Sequence, residues 1–325
     1  MPHISLTRPS PNTWLLTLSS PPNNLLSASA LQDLSEALNV VEYEWLARSP
    51  TSSASSTQLK KEDNAKKANI KGAGAGALVL TGEGRSFSAG IDHLALFQLA
   101  KQGGDPDSFF PKVFDPVLWR LMTFPLYTVA AINGHAIAAG MILALACDHR
   151  IMTSGKGFLS MNEITLGTTL PSSFVSVLST AFPSRRDLRD TVAGKRWVQN
   201  DLLKLGLVDE VSAPGELLKR SVEIGQQEGV KVALGNWGRI KSAIHSRTYP
   251  QSPARPPVSP QDSAIIRRPA QPGEAPTGGD ESQTEDEKRR KALMDMEGVD
   301  KLETGRWREA VGIGLMEVEV WLKSA

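Results

Sequence analysis

The chain is predicted to fold as an α/β protein, and three features of its sequence lead to that prediction. Short apolar segments typical of buried strands alternate with amphipathic segments typical of helices. Two of the strand-to-helix junctions are glycine-rich turns. The chain has 325 residues, enough for one large domain or two with a sizeable core.

The predicted elements follow one another regularly. TWLLTLSS is expected to form a strand, and SASALQDLSEALNVVEYEWLAR an amphipathic helix with a serine start signal. GALVLTGEG predicts a strand buried on both faces that ends in a glycine turn. Further helices are expected in DHLALFQLAKQ, FFPKVFDPVLWRLMTF and PSSFVSVLSTAF. LYTVAAINGHAIAAGMILALACDHRIMT predicts strand, glycine turn, buried helix and strand, and WVQNDLLKLGLVDEVS predicts a helix that leads into a strand.

Two stretches have the composition of surface insertions or linkers. Residues 49–76 are rich in serine, lysine, alanine and glycine, with almost nothing to bury. Residues 246–291 hold eight of the chain's 21 prolines and the charged run DESQTEDEKRRK. The predicted organisation is therefore a core over residues 1–245 with an insertion at 49–76, a disordered linker at 246–291 and a helical segment at 292–325.

The last predicted helix, TGRWREAVGIGLMEVEVWLKSA, has an apolar face that needs a covering surface. Its large apolar residues include Trp307, Leu315, Val318 and Trp321. These side chains are expected to pack on the core of this chain or on a neighbouring subunit.

Composition excludes several classes of function. The formal net charge of +1 gives no reason to expect nucleic acid or a membrane as the main partner. The single cysteine, Cys147, rules out an internal disulfide, and its apolar surroundings favour a structural thiol. The N-terminal segment lacks a signal-peptide pattern, and the longest nearly apolar run is too short to span a bilayer. A soluble intracellular protein is expected.

One carboxylate stands in an apolar segment, FLSMNEITLG at residues 158–167. A buried carboxylate without a partner is costly, and charged side chains are rarely fully buried. The ordinary interpretation of Glu163 is therefore a loop or helix-start residue that points to water. The alternative is a functional carboxylate.

The two glycine turns share one form, strand then turn then helix, in LVLTGEGRSFSAGIDHL and VAAINGHAIAAGMILAL. Such a junction exposes backbone N–H groups, and the helix N-terminus adds positive potential. Two N–H groups that converge on one point make an oxyanion hole. Taken singly, each turn also fits close packing by small residues, so both interpretations stay open.

Together with NEITLG and GLVDEV, the turns resemble the crotonase superfamily, also called the enoyl-CoA hydratase/isomerase family. The resemblance runs from about Trp14 to Val211 and includes LSSPPNNLL, FSAGID, AAINGHAIAAGMILALACDHRIM and NEITLGTTLP. It implies the crotonase fold, a spiral of ββα units followed by helices that mediate trimerisation. It also implies a coenzyme A thioester substrate and a homotrimer or a dimer of trimers.

The resemblance assigns roles by position. The backbone N–H donors of the oxyanion hole are Ile91 and Ala139, although the second position is usually glycine in the hydratases. Small residues there let the thioester carbonyl approach the backbone. Residues expected to bind or line the substrate are Ser88, Ala89, Gly90, Asp92 and Gly140. No metal and no cofactor is expected, since coenzyme A is part of the substrate.

Other polar residues near the turns are expected to have structural roles or to contact the coenzyme A phosphates. Asp92 and His93 are expected chiefly to cap and solvate a helix start, and His135 to make a structural hydrogen bond. Candidates for holding the coenzyme A phosphates are Arg85, Arg185, Arg186 and Arg189.

The reaction follows from which carboxylates are present. Hydratases resemble one another in using two glutamates that hold a water; Ile142 stands at the first position and Glu163 at the second. A single carboxylate is enough for a 1,3-proton shift, from C2 of a 3-enoyl thioester to C4. The segment FLSMNEITLGTTLPSSF also resembles the Δ3,Δ2-enoyl-CoA isomerase branch, so Glu163 is expected to be the proton shuttle that gives 2-trans-enoyl-CoA.

Two alternatives remain open at this stage. One is an enoyl-CoA hydratase, and the other is a catalytically silent crotonase-fold scaffold that binds partners through its linker and last helix. The resemblance implies peroxisome or mitochondrion, with the cytosol also possible, because the chain ends in KSA rather than a standard peroxisomal address.

Overall fold

A computed structural model describes residues 1–48, 74–103 and 105–246. The predictions for the last helix, for most of the linker and for residues 49–73 lie outside the described residues. The strands are β1 Ile4–Ser10, β2 Thr13–Leu18, β3 Ala77–Gly82, β4 Ser86–Ser88, β5 Tyr127–Ile132, β6 His135–Ile137, β7 His149–Thr153, β8 Leu159–Ser160 and β9 Glu210–Ser212. The helices are α1 Ala28–Arg48, α2 His93–Lys101, α3 Asp115–Met122, α4 Ala139–Leu145, α5 Glu163–Leu166, α6 Ser172–Ala181, α7 Arg185–Val192, α8 Gln199–Lys204, α9 Leu217–Gly229 and α10 Trp237–His245.

Six strands form the larger sheet, in the order β1-β2-β3-β5-β7-β9. Only the β1–β2 pair is antiparallel, and the remaining pairs are parallel. Strand β3 is buried along its whole length, as the sequence predicts. Its side chains alternate between two cores: Leu78 and Leu80 join the main core, and Val79 joins a smaller one with Ile224 of α9.

The smaller sheet has three parallel strands in the order β4-β6-β8. Ser88 of β4 pairs with Ala136 of β6, and Ile137 of β6 pairs with Ser160 of β8. The carboxyl ends of parallel strands lie at the same edge of a sheet. The segments that follow β4, β6 and β8 therefore all begin at one edge.

The structure departs from the predicted elements in several places. Strand β1 and helices α7, α9 and α10 were not expected from the sequence. The segment predicted as one helix begins with a π-helical turn, Phe110–Phe114, before α3. In the second glycine turn the helix begins only at Ala139, because residues 135–137 pair as β6. Residues 74–76, placed in the insertion, are buried, and the Gly74 carbonyl accepts a hydrogen bond from the Trp45 indole at 2.9 Å.

Helix α10 is held to the core by a buried ion pair. Lys241 is 2% exposed, and its Nζ lies 2.9 Å from Oδ2 of Asp148. The same oxygen accepts hydrogen bonds from the Trp237 indole at 3.0 Å and from the Thr128 amide at 2.9 Å and hydroxyl at 3.0 Å.

None of the helices in the described ranges has the length and apolar character needed to cross a bilayer.

Candidate active site

Each strand of the smaller sheet leads into one segment that the sequence singled out. Strand β4 runs to Ile91, β6 runs to Ala139 and β8 runs to Glu163. The segments are joined at the edge where the strands end, since the amide of Ala138 donates to the Ser160 carbonyl at 2.8 Å. The three predicted functional residues therefore come together at one edge of one sheet.

The first glycine turn touches the second at Gly90. Its φ of +95° lies in a region that L side chains rarely adopt. A Cβ on Gly90 would lie 3.0 Å from the Ile137 carbonyl oxygen, 3.1 Å from the Ala138 Cβ and 3.5 Å from the Ala139 nitrogen. Glycine is therefore required here both by the backbone angle and by the close approach of the two turns.

The backbone N–H groups of Ile91 and Ala139 donate no hydrogen bond to any of the described residues. Their neighbours do: the Asp92 amide donates to the Leu26 carbonyl at 3.3 Å. Ala139 is the first residue of α4, where a helix always leaves its amides unsatisfied. Two free donors on touching turns are what an oxyanion hole requires.

Ala138 has an unusual backbone conformation, φ +52° and ψ −123°, just before the second donor. An alanine there carries strain of about 1–3 kcal/mol, which persists only when the surroundings hold it. The hydrogen bond from its amide to Ser160 and the helix that follows supply that support. The strained residue fixes where α4 begins and hence where the Ala139 N–H lies.

Glu163 opens the short helix α5 with its side chain turned inward. It is 7% exposed, and Oε2 is buried with no hydrogen-bond partner among the described residues. Burial raises the pKa of Glu163 to about 7, although hydrogen bonds from the backbone of Glu163 and Asn162 partly oppose the rise. The ordinary interpretation, a carboxylate that points to water, is therefore wrong.

The residues predicted to line the substrate serve partly as framework. The Ser88 side chain is fully buried, and its hydroxyl donates to the Asn24 carbonyl at 2.7 Å. A Cβ on Gly140 would lie 2.3 Å from the Ser88 carbonyl oxygen, so glycine lets α4 pack on β4. Asp92 caps α2 as predicted, because its carboxylate accepts from the Ala95 amide at 3.0 Å. Ala89 is half-buried, and its amide donates to the Asn23 carbonyl at 2.9 Å.

His135 and Cys147 lie away from the edge where Glu163 sits. His135 starts β6, and its Nδ1 is buried without a partner in the described part of the chain, so the expected structural hydrogen bond is not made there. Its ring instead packs edge-on against Phe158 at 4.4 Å. Burial raises the pKa of the Cys147 thiol to about 12, which agrees with a structural role.

The arginines proposed as phosphate ligands are exposed in two places: Arg85 precedes β4, and Arg185, Arg186 and Arg189 lie on α7. Arg85 is exposed beside the start of β4, at the opposite end of the strand from Ile91. Arg189 pairs with Asp190 at 2.7 Å.

Of the described residues, no group of three or more His, Cys, Asp or Glu side chains is arranged to hold a metal ion.

An aromatic cluster between two segments that follow the candidate residues was not recognised from the sequence. The rings of Phe110 and Phe174 lie 5.7 Å apart, and those of Phe114 and Phe174 5.3 Å apart. The cluster joins the segment that follows Ile91 to α6, which follows Glu163. The run FFPKVF was the available sequence signal. The π-helical turn Phe110–Phe114, which carries two of these rings, has no sequence signature of its own.

Comparison with known proteins identifies the family. The model of the enoyl-CoA hydratase/isomerase family matches residues 56–243, more than half of the chain. The chain therefore belongs to this family, and the crotonase fold predicted from the sequence is confirmed.

Individual relatives carry isomerase and hydratase names. Enoyl-CoA delta isomerase 3 of Arabidopsis thaliana is 34% identical over 58% of this chain and 78% of its own length. Peroxisomal enoyl-CoA delta isomerase 2 of the same plant is 33% identical over 54% of this chain and 73% of its own length. The apo structure of an enoyl-CoA isomerase of Mycobacterium tuberculosis superposes with a TM-score of 0.57 at 22% identity, covering 76% of this chain and 92% of that one. That likeness bears on the fold alone.

Proposed function

We propose that this protein isomerises 3-enoyl-CoA thioesters to 2-trans-enoyl-CoA, with Glu163 as the only acid–base group. The observation that supports this most directly is a buried carboxylate with a free oxygen and a pKa of about 7, at the same sheet edge as two free backbone N–H groups. The isomerase names of the two Arabidopsis relatives point the same way.

The proposed reaction consists of two proton transfers through one dienolate. The ionised Glu163 removes a proton from C2, and the electron pair spreads over C2, C3, C4 and the thioester oxygen. The amides of Ile91 and Ala139 donate hydrogen bonds to that oxygen and stabilise its developing charge. The Glu163 carboxylic acid then returns the proton to C4, which leaves a double bond between C2 and C3 and restores the carboxylate.

Burial suits Glu163 to both steps. With a pKa of about 7, the group is ionised in a large fraction of molecules at neutral pH and is still a stronger base than an ordinary glutamate. The lack of competing donors at Oε2 leaves that oxygen available to the substrate proton. Shielding of Glu163 from water also helps to keep the abstracted proton on the carboxyl group.

The apolar residue at the hydratase position favours isomerisation over water addition. Ile142 is fully buried in the helix that starts with Ala139. A side chain without a polar atom cannot orient a water or supply a second proton. The product double bond is therefore expected to survive rather than be hydrated.

Two incubations separate this proposal from its rivals. The purified protein is given a 3-enoyl-CoA and, separately, a 2-enoyl-CoA, and the ultraviolet absorbance of the conjugated thioester is followed. Isomerisation makes the signal rise with the first substrate and leaves the second unchanged. Loss of signal from the 2-enoyl-CoA would identify a hydratase, and binding without turnover would identify a scaffold.

The proposed compartment rests on the names of the relatives. Peroxisomal and mitochondrial names among them support one of those two compartments for this chain. We further propose assembly as a homotrimer or a dimer of trimers, and coenzyme A as part of the substrate rather than a cofactor. From their composition, we also propose that the segments 49–76 and 246–291 are dispensable for turnover, except for residues 74–76, which are buried. Sedimentation of the full chain at micromolar concentration tests the assembly.

A further inference from the structure

A buried asparagine, Asn24, lies beside the segment that carries the first candidate amide donor. It belongs to the loop between β2 and α1, is 2% exposed and has a φ of +54°. Among residues with a side chain, asparagine and aspartate adopt this left-handed region most readily. The loop therefore places a polar side chain in the interior, where its donors and acceptors need partners.

The side-chain amide of Asn24 holds the first glycine turn to this loop. Its Nδ2 donates to the carbonyl of Ser86 at 2.8 Å and to that of Glu83 at 3.0 Å. Its Oδ1 accepts from the Ser20 amide at 3.1 Å. A Cβ on Gly82 would lie 2.7 Å from Nδ2, so glycine at that position lets the amide approach the turn. One side chain thus joins the loop to both ends of the turn before β4.

Two further hydrogen bonds lead from the main chain of Asn24 toward the donor. The Ser88 hydroxyl donates to the Asn24 carbonyl at 2.7 Å and accepts from the Gly90 amide at 3.2 Å. The Ser88 side chain is fully buried, so water does not compete for these bonds. The position of Asn24 therefore sets the position of Gly90, the residue that precedes Ile91.

The same loop also sets the direction of the Ile91 amide. Leu26 and Ile91 form a parallel β-bridge, in which the Leu26 amide donates to the Gly90 carbonyl at 2.8 Å and the Asp92 amide donates to the Leu26 carbonyl at 3.3 Å. In such a pair, the residue between the two bonded neighbours directs its own N–H and C=O to the opposite side. The N–H of Ile91 is therefore held facing away from the loop.

A second asparagine, Asn133, makes similar contacts without reaching the donor. Its Nδ2 donates to the carbonyls of Gly84 at 3.0 Å and Ser86 at 3.3 Å, and its Oδ1 accepts from the Gly82 amide at 3.1 Å. These partners lie at or before the first residue of β4, at the end of the strand far from Ile91. Asn133 therefore supports the same turn and supplies a matched control.

We propose that Asn24 is a positioning residue for the reaction, because it holds the Ile91 N–H where the thioester oxygen is bound. The inference rests on the proposed function, in which that N–H stabilises the enolate. A hydrogen bond to an oxygen that gains charge matters most in the transition state, so loss of Asn24 acts on kcat more than on substrate binding. A displacement of about 1 Å is enough to cost about 10²-fold in rate.

Kinetics of Asn24→Gly test the role, because glycine accepts the φ of +54° while the side-chain amide is lost. Isomerisation of a 3-enoyl-CoA is measured per folded molecule. We expect kcat to fall by at least about tenfold and KM to change by less than about threefold. Asn133→Gly removes the same side chain at the control position. It should lower the free energy of unfolding but leave kcat within about twofold.

Infrared spectroscopy tests the same donor without turnover. A saturated acyl-CoA with carbon-13 at the thioester carbonyl is bound to each chain. Two amide donors polarise this carbonyl and lower its stretching frequency relative to free acyl-CoA. We expect Asn24→Gly to lose about half of that shift, since one of the two donors is displaced, and Asn133→Gly to keep it.

The outcomes separate this inference from the function on which it rests. A carbonyl shift in the unmodified chain that persists in Asn24→Gly, or an unchanged kcat in that variant, overturns the inference and leaves the oxyanion hole intact. No shift in the unmodified chain overturns the oxyanion hole and the inference with it. If Asn24→Gly does not fold, Ser88→Ala takes its place, since it cuts the link between the Asn24 carbonyl and the Gly90 amide. An unchanged kcat and carbonyl shift in Ser88→Ala then overturn the inference.

Discussion

Two carboxylates of this protein, Asp148 and Glu163, are shielded from water and have opposite surroundings. Oδ2 of Asp148 accepts hydrogen bonds from Thr128, Trp237 and Lys241, four donors in all. Oε2 of Glu163 accepts none from the described residues. The first carboxylate joins α10 to the larger sheet, and the second sits at the edge of the smaller one.

The difference separates a carboxylate that stabilises the fold from one that is available for chemistry. Four donors and the Lys241 charge surround Oδ2 of Asp148 and fix the position of this carboxylate. Glu163 has no such donors at Oε2, and its charged form is destabilised by burial. A carboxylate with a raised pKa in a concave site is a candidate for catalysis, whereas a fully paired one belongs to the architecture.

The largest expected effect is on turnover. Glu163→Gln keeps the shape but removes the base, so isomerisation of a 3-enoyl-CoA should fall by about 10⁴-fold, the upper end for general acid–base catalysis. Coenzyme A thioester binding, measured by calorimetry, should persist. The matched variant Asp148→Asn should keep turnover per folded molecule within a few-fold. Near wild-type isomerisation by Glu163→Gln would show that the proton shuttle lies elsewhere.

The next effect is on stability, and it falls on the other carboxylate. Asp148→Asn leaves Lys241 buried without a counter-charge, so the free energy of unfolding should drop by about 3–5 kcal/mol. Adding Lys241→Met should recover part of the loss, because a neutral pair has no unpaired charge to bury. Denaturant titration measures both. A double variant less stable than the single one would contradict this account of the pair.

A smaller change in the free energy of unfolding, of opposite sign, is expected when Glu163 is replaced. The pKa rises from 4.5 to about 7 on folding, so ionisation opposes folding increasingly between these values and fully above pH 7. Glu163→Gln should therefore stabilise the fold by about 3 kcal/mol above pH 7 and by almost nothing near pH 4.5. Melting curves at both pH values check this, and a pH-independent difference would rule out the ionisation as its cause.

The smallest effect concerns the pH dependence of the rate. Because the ionised form of Glu163 must accept the first proton, kcat/KM should rise with pH and level off above about 7, falling about tenfold per unit below it. The variant Asp148→Asn should give the same apparent pKa. A rate that stays flat down to pH 5 would mean that Glu163 is not the base.

The sequence singled out the candidate site residues but not the framework that carries them. Ile91, Ala139 and Glu163 stand in motifs with a fixed order, so the resemblance alone was enough to select them as candidates. Strand β3 was also clear, since a continuous apolar run implies burial on both faces. The smaller sheet was not foreseen, because β4, β6 and β8 are two or three residues long and show no periodicity.

The burial of Lys241 shows why the packing of α10 could not be predicted from the sequence. In GRIKSAIH, Ile240 and Ile244 predict the inward face of a helix, yet they are exposed and Lys241 is buried. The reversal comes from Asp148, a partner 93 positions earlier in the chain. Long-range pairing of this kind cannot be read from the local pattern of apolar residues.

The smaller sheet also bears on how the protein becomes active while it folds. Its three strands come from Ser86, His135 and Leu159, stretches separated by whole helices and by strands of the larger sheet. We expect contacts between such distant stretches to form late, because each must close a long loop. Neither amide donor nor Glu163 has its surroundings until all three strands are paired. If Glu163 and the two amides act as proposed, activity should appear during refolding only when all three strands have paired, and a partly folded chain should show none.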